Sequence, residues 1–177
     1  KARSLGIEVL LVKDGYLGLN NDWFFKPDMP TLGLFNSIGN IFIGTARFPQ
    51  FQDQEVKKIG LANLKKRGVD TLFVIGGDGS YHGAQGLKNL GFHVVGLPGT
   101  IDNDISITEG TIGFSTALNT IVRSLDELRC VFDSHNGVAI AEVMGRRFPD
   151  LTINAAIANQ AEVVVNGYRG WISRAAI

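Results

Sequence analysis

Two short apolar runs, each followed by a loop, constrain the fold of this chain more than any other feature. Thr71–Ile75 leads into the glycine-rich segment Gly76–Ser80, and His93–Leu97 leads into residues 98–104, PGTIDND. The segment between them has the spacing of a helix. Strand, helix and strand in this order predict a βαβ unit with two parallel strands. Because parallel strands end at the same edge of a sheet, we expect the two loops to lie side by side.

The same alternation of strands and helices extends along most of the chain. Asp53 is a predicted N-cap of a helix that Gly68 ends, with basic residues in its last turn. The other predicted elements are strands at Ile7–Val12, 41–43, Val138–Val143 and Glu162–Val165, and helices from Ser80 to about Leu90 and over about Ile112–Val131 and Leu151–Asn159. This pattern predicts an α/β fold, a doubly wound parallel sheet with helices on both faces, in a single domain over residues 1–177.

Composition and charge favour a globular protein and argue against several kinds of partner. The 177 residues are 45% hydrophobic, and 17 basic residues balance 17 acidic ones, so no overall field favours nucleic acid or an anionic membrane. No apolar run approaches the roughly 20 residues needed to span a bilayer. The single cysteine, Cys130, excludes an internal disulfide. We therefore expect a cytoplasmic protein.

The segment Gly76–Ser80, GGDGS, has the properties of a phosphate-binding loop. Its glycines offer unobstructed backbone N–H groups, and the following helix points its positive end at the same place. Asp78 beside an anion requires a cation between them, and magnesium suits a site with few carboxylates. The spacing fits neither the dinucleotide-binding nor the P-loop pattern. A tight strand-to-helix connection without a ligand is the alternative.

The second loop supplies two carboxylates for proton transfer. Asp102 and Asp104 would face the same way in extended backbone, with Cα atoms roughly 6–7 Å apart. Repulsion between them would make one a stronger base, although Asp is also common in turns for local reasons. Arg146, after a predicted strand, and Arg47 are candidate cations for phosphate oxygens. A metal-bound polyphosphate beside a base indicates phosphoryl transfer.

Four segments, IGGDGSYHGA, GLPGTIDNDI, TIGFSTALNTIVRSLDELR and EVMGRR, closely resemble the ATP-dependent 6-phosphofructokinases. These glycolytic enzymes phosphorylate fructose 6-phosphate at its 1-position. DGYLGL, ARFPQF and NLKKRG agree as well, so the resemblance covers essentially the whole chain. It implies ATP with Mg²⁺, an allosteric cytoplasmic enzyme and a homotetramer.

The resemblance also implies roles for particular residues. The implied catalytic residues are Asp102, as the base, with Thr100 and Arg146. ATP would be bound by Arg47, Phe48, Gly77, Asp78, Gly79 and Ser80, with Asp78 also holding magnesium. The substrate-binding set is Thr100, Ile101, Asp102, Asp104, Met144, Gly145 and Arg146, and the effector-site positions are Arg129 and Glu162.

Two glycines bear on the phosphoryl donor. Pyrophosphate-dependent relatives carry Asp at the position of Gly79 and Lys at that of Gly99. Those side chains put bulk and charge where the α-phosphate of ATP would lie. By resemblance, glycine at both positions favours ATP.

Departures from the family pattern keep alternatives open. The family's first strand and GGDxPG loop are expected before Lys1, and its second, substrate-binding domain is also absent, so we expect an incomplete chain. Gly137 stands where the family has an arginine that reaches a neighbouring subunit, and Phe148-Pro149 replaces small residues. A non-catalytic phosphofructokinase-like subunit with an assembly or regulatory role is therefore the alternative. A lipid kinase or an NAD kinase, suggested by GGDGS, is a weaker hypothesis than these two.

Overall fold

A computed structural model describes residues 2–28, 33, 42–145, 148–166 and 171–174. Contacts divide the chain into a first unit, Lys1–Val74 with Ser80–Gly96, and a second unit, Ile75–Gly79 with Leu97–Ile177. The strands are β1 Leu11–Val12, β2 Phe24–Phe25, β3 Thr71–Gly76, β4 His93–Thr100, β5 Ile112–Gly113, β6 Val163–Asn166 and β7 Trp171–Arg174. The α-helices are α1 Gly15–Asn20, α2 Gln54–Lys66, α3 Asp78–Asn89, α4 Phe114–Asp133 and α5 Asp150–Asn159, and short 3₁₀ helices cover Ala2–Leu5 and Pro49–Gln52.

The chain has a mixed α/β fold built on a parallel three-stranded sheet, as the alternating pattern predicts. The strand order is β3-β4-β5, and Gly99 and Thr100 of β4 lie opposite Ile112 and Gly113 of β5. The βαβ unit formed by β3, α3 and β4 is the part of the fold that carries the predicted phosphate loop.

Local signals set the ends of α2. The Asp53 side chain accepts hydrogen bonds from the backbone N–H groups of Glu55, at 2.7 Å, and Val56, at 3.4 Å. These bonds satisfy donors that a helix N-terminus otherwise leaves unpaired. Gly68 follows the helix with a φ of +67°, a conformation that glycine adopts without a steric penalty. Both predicted ends of this helix are confirmed.

The first unit contains a hydrophobic core. Six buried side chains form it: Leu19, Phe51, Leu61, Leu64, Leu87 and Phe92. The ring of Tyr16 stacks on that of Phe51 with centroids 4.2 Å apart. Helices α1, α2 and α3 thus bury their apolar faces against one another, as their sequence periodicity requires.

Helices α4 and α5 of the second unit pack against each other. Leu151 and Ala155 of α5 are buried, and the Asn159 side chain at its end donates a hydrogen bond to Asp126 of α4 at 2.5 Å. Helix α4 begins two residues later than predicted because Ile112 and Gly113 form β5. Gly113 precedes the helix with a φ of +100°.

Four predicted strands are wrong or differ in pairing. Only Leu11–Val12 of the predicted strand Ile7–Val12 is a strand, and it pairs antiparallel with Phe24–Phe25. No strand forms over Val138–Val143, where the Val138 and Ile140 side chains are 84% and 95% exposed. An apolar run does not show whether a neighbouring strand is present to pair with it.

The two remaining strand predictions also need comment. Residues 42 and 43 of the predicted strand 41–43 lie in a turn, and residue 41 lies outside the described residues. Strand β6 lies close to its predicted position, but it pairs antiparallel with β7 instead of joining a parallel sheet. Within the described part of the chain, no helix is long and apolar enough to cross a membrane.

Candidate active site

The glycine-rich segment connects β3 to α3 more tightly than the predicted loop would. Strand β3 runs through Gly76 and α3 begins at Asp78, so only Gly77 lies between them. Gly79 and Ser80 therefore lie in the first turn of α3, where backbone N–H groups have no partner within the helix. The twelve-residue helix adds the positive end of its dipole. This arrangement can bind a phosphate group.

Gly77, just after β3, and Gly99, the next-to-last residue of β4, allow these two parts of the chain to approach each other closely. A Cβ atom added to Gly77 would lie 3.3 Å from Cβ of Thr100. One added to Gly99 would lie 2.8 Å from Cγ2 of Ile75 and 3.5 Å from the backbone nitrogen of Gly76. The glycine-rich segment and the segment that follows β4 therefore lie side by side, as predicted. A side chain at Gly77 or Gly99 would change the distance between them.

The segment after β4 carries three partly buried side chains, Asp102, Asn103 and Asp104. The backbone N–H of Asp102 donates to Oγ1 of Thr100 at 3.2 Å, which folds the chain back at the end of the strand. Asn103 has a φ of +53° and so lies in the left-handed region. The predicted extended geometry of Asp102 and Asp104 is therefore wrong, since a left-handed residue separates them.

One oxygen of Asp104 has an unusual environment. Its Oδ1 is buried and has no hydrogen-bond partner among the described residues. A buried carboxylate oxygen without a partner is costly, because it has lost its hydration. Such an atom fits a position that a ligand hydroxyl or a cation completes.

Sequence reasoning missed Asn103, whose amide bridges two other elements. Its Oδ1 accepts a hydrogen bond from the Thr111 backbone N–H at 3.1 Å, and its Nδ2 donates to Oδ2 of Asp150 at 3.1 Å. No local signal identifies these partners, since they lie 8 and 47 residues away. The one sequence feature that favours such a role is that asparagine adopts left-handed backbone more readily than most residues.

Tyr16, in the first unit, makes a contact with Ser80 of α3 that sequence reasoning also missed. Its hydroxyl donates to the Ser80 carbonyl oxygen at 2.5 Å, and burial raises the pKa of the phenol above its ordinary value. A Cβ on Gly83 would lie 2.5 Å from the ring, so this glycine allows the tyrosine to lie against α3. Tyr16 thus fixes the first turn of that helix.

The predicted nucleotide-binding pair Arg47 and Phe48 precedes the 3₁₀ helix Pro49–Gln52 of the first unit. Arg47 is exposed. Phe48 is partly buried, packs against the core and lies 6.3 Å from Phe51, centroid to centroid. The structure thus gives Phe48 a packing role, and the nucleotide-binding role of Arg47 and Phe48 stays a prediction.

The predicted sugar-phosphate residues differ in their surroundings. Ile101 is partly buried and lies beside Gly113, whose added Cβ would be 3.4 Å from Ile101 Cγ2. Met144 and Gly145 are exposed. Arg146 lies outside the described residues, so its catalytic and substrate-binding roles stay predictions.

The two predicted effector residues lie in the second unit. Arg129 Nη1 donates to the Asn159 carbonyl oxygen at 2.6 Å, and its Nε lies 3.6 Å from Oδ2 of Asp133. The guanidinium therefore connects α4 to the C-terminus of α5, where a cation is favourable. Glu162 is exposed just beyond that helix. Their effector role stays a prediction.

The carboxylates suit a magnesium ion that is bound together with phosphate. Among the described residues, no three His, Cys, Asp or Glu side chains cluster to hold a metal. Asp78 is an exposed first residue of α3. Magnesium commonly takes one or two carboxylates and completes its shell with phosphate oxygens and water. An exposed carboxylate at this position could therefore share a magnesium ion with the oxygens of a bound phosphate.

A helix N-terminus and a carboxylate segment thus lie at the ends of two neighbouring strands of the parallel sheet in this α/β fold. The protein-family model described as Phosphofructokinase matches residues 1–167. The chain therefore belongs to the phosphofructokinase family.

Solved structures agree with this assignment. Phosphofructokinase from Saccharomyces cerevisiae is 30% identical with a TM-score of 0.80, over 91% of this chain and 24% of that one. Phosphofructokinase from Pichia pastoris in the T-state is 28% identical with a TM-score of 0.73, over 88% of this chain and 20% of that one. A pyrophosphate-dependent phosphofructokinase from Marinobacter aquaeolei shares the fold, with 19% identity and a TM-score of 0.71, over 89% of this chain and 44% of that one. This chain thus spans a quarter or less of the two yeast chains.

Proposed function

We propose that the protein containing this chain transfers the γ-phosphoryl group of ATP to the 1-hydroxyl of fructose 6-phosphate, giving fructose 1,6-bisphosphate and ADP. The observation that carries the proposal is the close approach of Gly77 to Thr100, since a Cβ added to Gly77 would lie 3.3 Å from Cβ of Thr100. It puts the first turn of α3 and the Asp102 segment at the ends of adjacent strands. Phosphoryl transfer needs phosphate donors and a base next to each other.

The residues divide the reaction between the two strand ends. Backbone N–H groups at Gly77, Gly79 and Ser80 would bind phosphate oxygens, and Asp78 would hold the magnesium that accompanies ATP. When bound, magnesium would offset negative charge on the transferred group. Asp102 would accept the proton of the sugar hydroxyl as that oxygen attacks the γ-phosphorus in line.

The remaining predicted residues complete the substrate sites in this proposal. Thr100, Ile101 and Asp104 would position the sugar. Met144, Gly145 and Arg146 would contact fructose 6-phosphate, and the arginine would balance charge on the phosphoryl group. Arg47 and Phe48 would line the nucleotide site. We propose a cytoplasmic homotetramer whose effector site includes Arg129 and Glu162.

The choice of ATP over pyrophosphate depends on Gly79 and Gly99. Space around Gly79 is open, since an added Cβ meets no atom within 4 Å. An Asp there would add negative charge beside the phosphate-binding turn without a clash. We expect Gly79→Asp to lower kcat/KM for ATP by at least about 100-fold, on the scale of a misplaced substrate. Fructose 1,6-bisphosphate formation with ATP and with pyrophosphate measures this preference.

Asp102→Ser tests the proposed base. In the full-length protein with ATP and magnesium, we expect kcat to fall by about 10³-fold or more while the Kd for ATP stays within about twofold. Asp70→Ser is the matched control, because Asp70 is exposed in the connection before β3. It should leave both values unchanged. An Asp102→Ser protein with wild-type turnover would contradict the role.

The same assay separates the enzyme from a non-catalytic family member. Gly137, which replaces an arginine expected from the family pattern, is exposed after α4. A wild-type full-length protein that binds magnesium and ATP but forms no bisphosphate with either donor would support the assembly or regulatory role. Product formation would support the kinase.

A further inference from the structure

Asn103 has an unusual backbone conformation for a residue between two aspartates of the proposed site. It lies between Asp102 and Asp104 with a φ of +53°. Left-handed backbone is unfavourable for residues with a Cβ, although asparagine tolerates it better than most. An additional interaction that holds this conformation would therefore also fix the directions of both flanking aspartates.

The Asn103 side chain provides that interaction through both ends of its amide. Oδ1 accepts from the Thr111 backbone N–H at 3.1 Å and lies 3.4 Å from Oγ1 of the same residue. Nδ2 donates to Oδ2 of Asp150 at 3.1 Å. A backbone N–H only donates and a carboxylate only accepts, so the two partners define the orientation of the amide.

The partners belong to well-anchored parts of the second unit. Thr111 is 7% exposed and directly precedes β5, which pairs with the end of β4. Asp150 is the first residue of α5, a ten-residue helix. The amide therefore connects the carboxylate segment to a strand of the sheet and to a helix N-terminus.

The environment of Asp104 supports the idea that this segment is held in place. Its Oδ1 is buried without a hydrogen-bond partner among the described residues. An isolated segment would relax to return such an oxygen to water. The Asn103 bonds oppose that relaxation from the adjacent residue.

We propose that Asn103 is a positioning residue, whose amide holds Asp102 and Asp104 in place for phosphoryl transfer by bridging Thr111 and Asp150. This inference rests on the proposed function of Asp102. It assigns no contact between Asn103 and the substrate. Its effect on the reaction passes through the placement of the neighbouring carboxylates.

Exchanging Asn and Asp between positions 103 and 150 provides the test. The first substitution breaks the hydrogen bond between the two side chains, and the second restores it. Asn103→Asp replaces the Nδ2 donor by an oxygen that faces the Asp150 carboxylate. We expect kcat to fall by about 100-fold, the size expected for a reacting group displaced by about 1 Å, with the KM for ATP within about twofold. Adding Asp150→Asn supplies a donor from the opposite side, and we expect the pair to recover to within about tenfold of wild type.

Two further variants separate positioning from folding. Asn103→Gly removes both side-chain bonds but accepts the positive φ without strain, so it should stay folded with a somewhat lower Tm and lose kcat as Asn103→Asp does. Asn136→Asp is the matched control. It makes the same substitution in another asparagine with a positive φ, +47°, which is exposed and lies outside the carboxylate segment. Its kcat should stay at the wild-type value.

The outcomes distinguish this inference from the proposed function. Wild-type kcat in both Asn103 variants, or no recovery in the swapped pair, would overturn the positioning role while an inactive Asp102→Ser leaves the kinase intact. An inactive wild type, or an active Asp102→Ser, would overturn both. A low kcat in Asn103→Asp and Asn103→Gly with recovery in the swapped pair supports the inference.

Discussion

The two units bury their apolar residues to very different degrees. In the first unit, the thirteen-residue helix α2 buries Leu61 and Leu64 in a core with Leu87 and Phe92. In the second unit, the twenty-residue helix α4 has no buried residue. Only Leu151 and Ala155 are buried hydrophobic residues of the second unit in the described part of the chain.

The difference shows that an apolar helix face and a covered helix face are separate properties. Both α2 and α4 have apolar residues at helical spacing, and both form the predicted helices. Stability arises mainly from burying such a face, at about 25 cal/mol per Å² removed from water. The first unit gains this free energy by burying its own apolar side chains. The second unit gains much less, because far fewer of its apolar side chains are buried.

Hydrogen exchange should give the largest contrast between the units. The amides of α2 lie in hydrogen-bonded helix over a core, whereas residues 138–145 form no strand or helix. We expect the α2 amides to exchange at least about a thousandfold more slowly, as in locally stable and unstable parts of other proteins. Peptide-level mass spectrometry measures this. Slow exchange over 138–145 would instead show that the predicted strand pairs in solution.

Truncating one side chain in each unit tests the difference in free energy. Leu64 is fully buried at 0% exposure, so we expect Leu64→Ala to lower the free energy of unfolding by about 2–5 kcal/mol. Ile157, in α5 of the second unit, is 71% exposed, and Ile157→Ala should change it by no more than about 0.5 kcal/mol. Urea unfolding measures both. A large loss for Ile157→Ala would show that this face is covered in solution.

Two glycines of α3, one in each unit, sharpen the comparison further. A Cβ on Gly83 would lie 2.5 Å from the Tyr16 ring, so Gly83→Ala should lower the free energy of unfolding by about 1–3 kcal/mol through overpacking. Gly79 has open space, and Gly79→Ala should raise it by up to about 1 kcal/mol through helix propensity. Thermal unfolding with both variants gives the sign. Equal effects would contradict the described packing of Tyr16.

A surface ion pair in the first unit gives the smallest effect. Hydrogen bonds from Arg67, at 2.5 Å, and Lys66, at 3.1 Å, lower the pKa of Asp22 from its ordinary 3.8 to about 2. Because the folded-state pKa lies below the unfolded one, this stabilisation is present above about pH 4 and disappears as the pH falls towards 2.

Asp22→Asn isolates this contribution. The difference in urea midpoint between wild type and variant should be measurable at pH 7 and shrink at pH 2. Added salt at pH 7 should reduce it as well, because exposed charges are screened. A difference that is constant between pH 7 and pH 2 would mean that the carboxylate charge does not contribute.

Much of the fold could be predicted because helix ends and buried strands leave local signals. The Asp53 cap and Gly68 define α2, and the run Thr71–Ile75 is most of β3. The prediction of a strand over Val138–Val143 was wrong because the apolar pattern is the same whether or not a neighbouring strand is present. Pairing depends on residues that are distant in sequence, which no local pattern contains.

The candidate site divides in the same way. Residue types and order predicted a site around Asp78 and Asp102, and these roles stay predictions. The structure then showed that Gly77 lies close to Thr100 and that Asn103 bridges Thr111 and Asp150. Those contacts arise from the meeting of separate elements, and a sequence motif cannot specify them.

The sequence by itself determined the α/β class and the approximate positions of helices α2 to α5, and it supplied the residue types on which the proposed reaction depends, because caps, periodicity and side-chain chemistry are local. Only the tertiary structure decided which apolar faces are buried, which strands pair and how the carboxylate segment is held. Those outcomes depend on contacts between residues far apart in the chain, whose free energy exists only once the elements have packed.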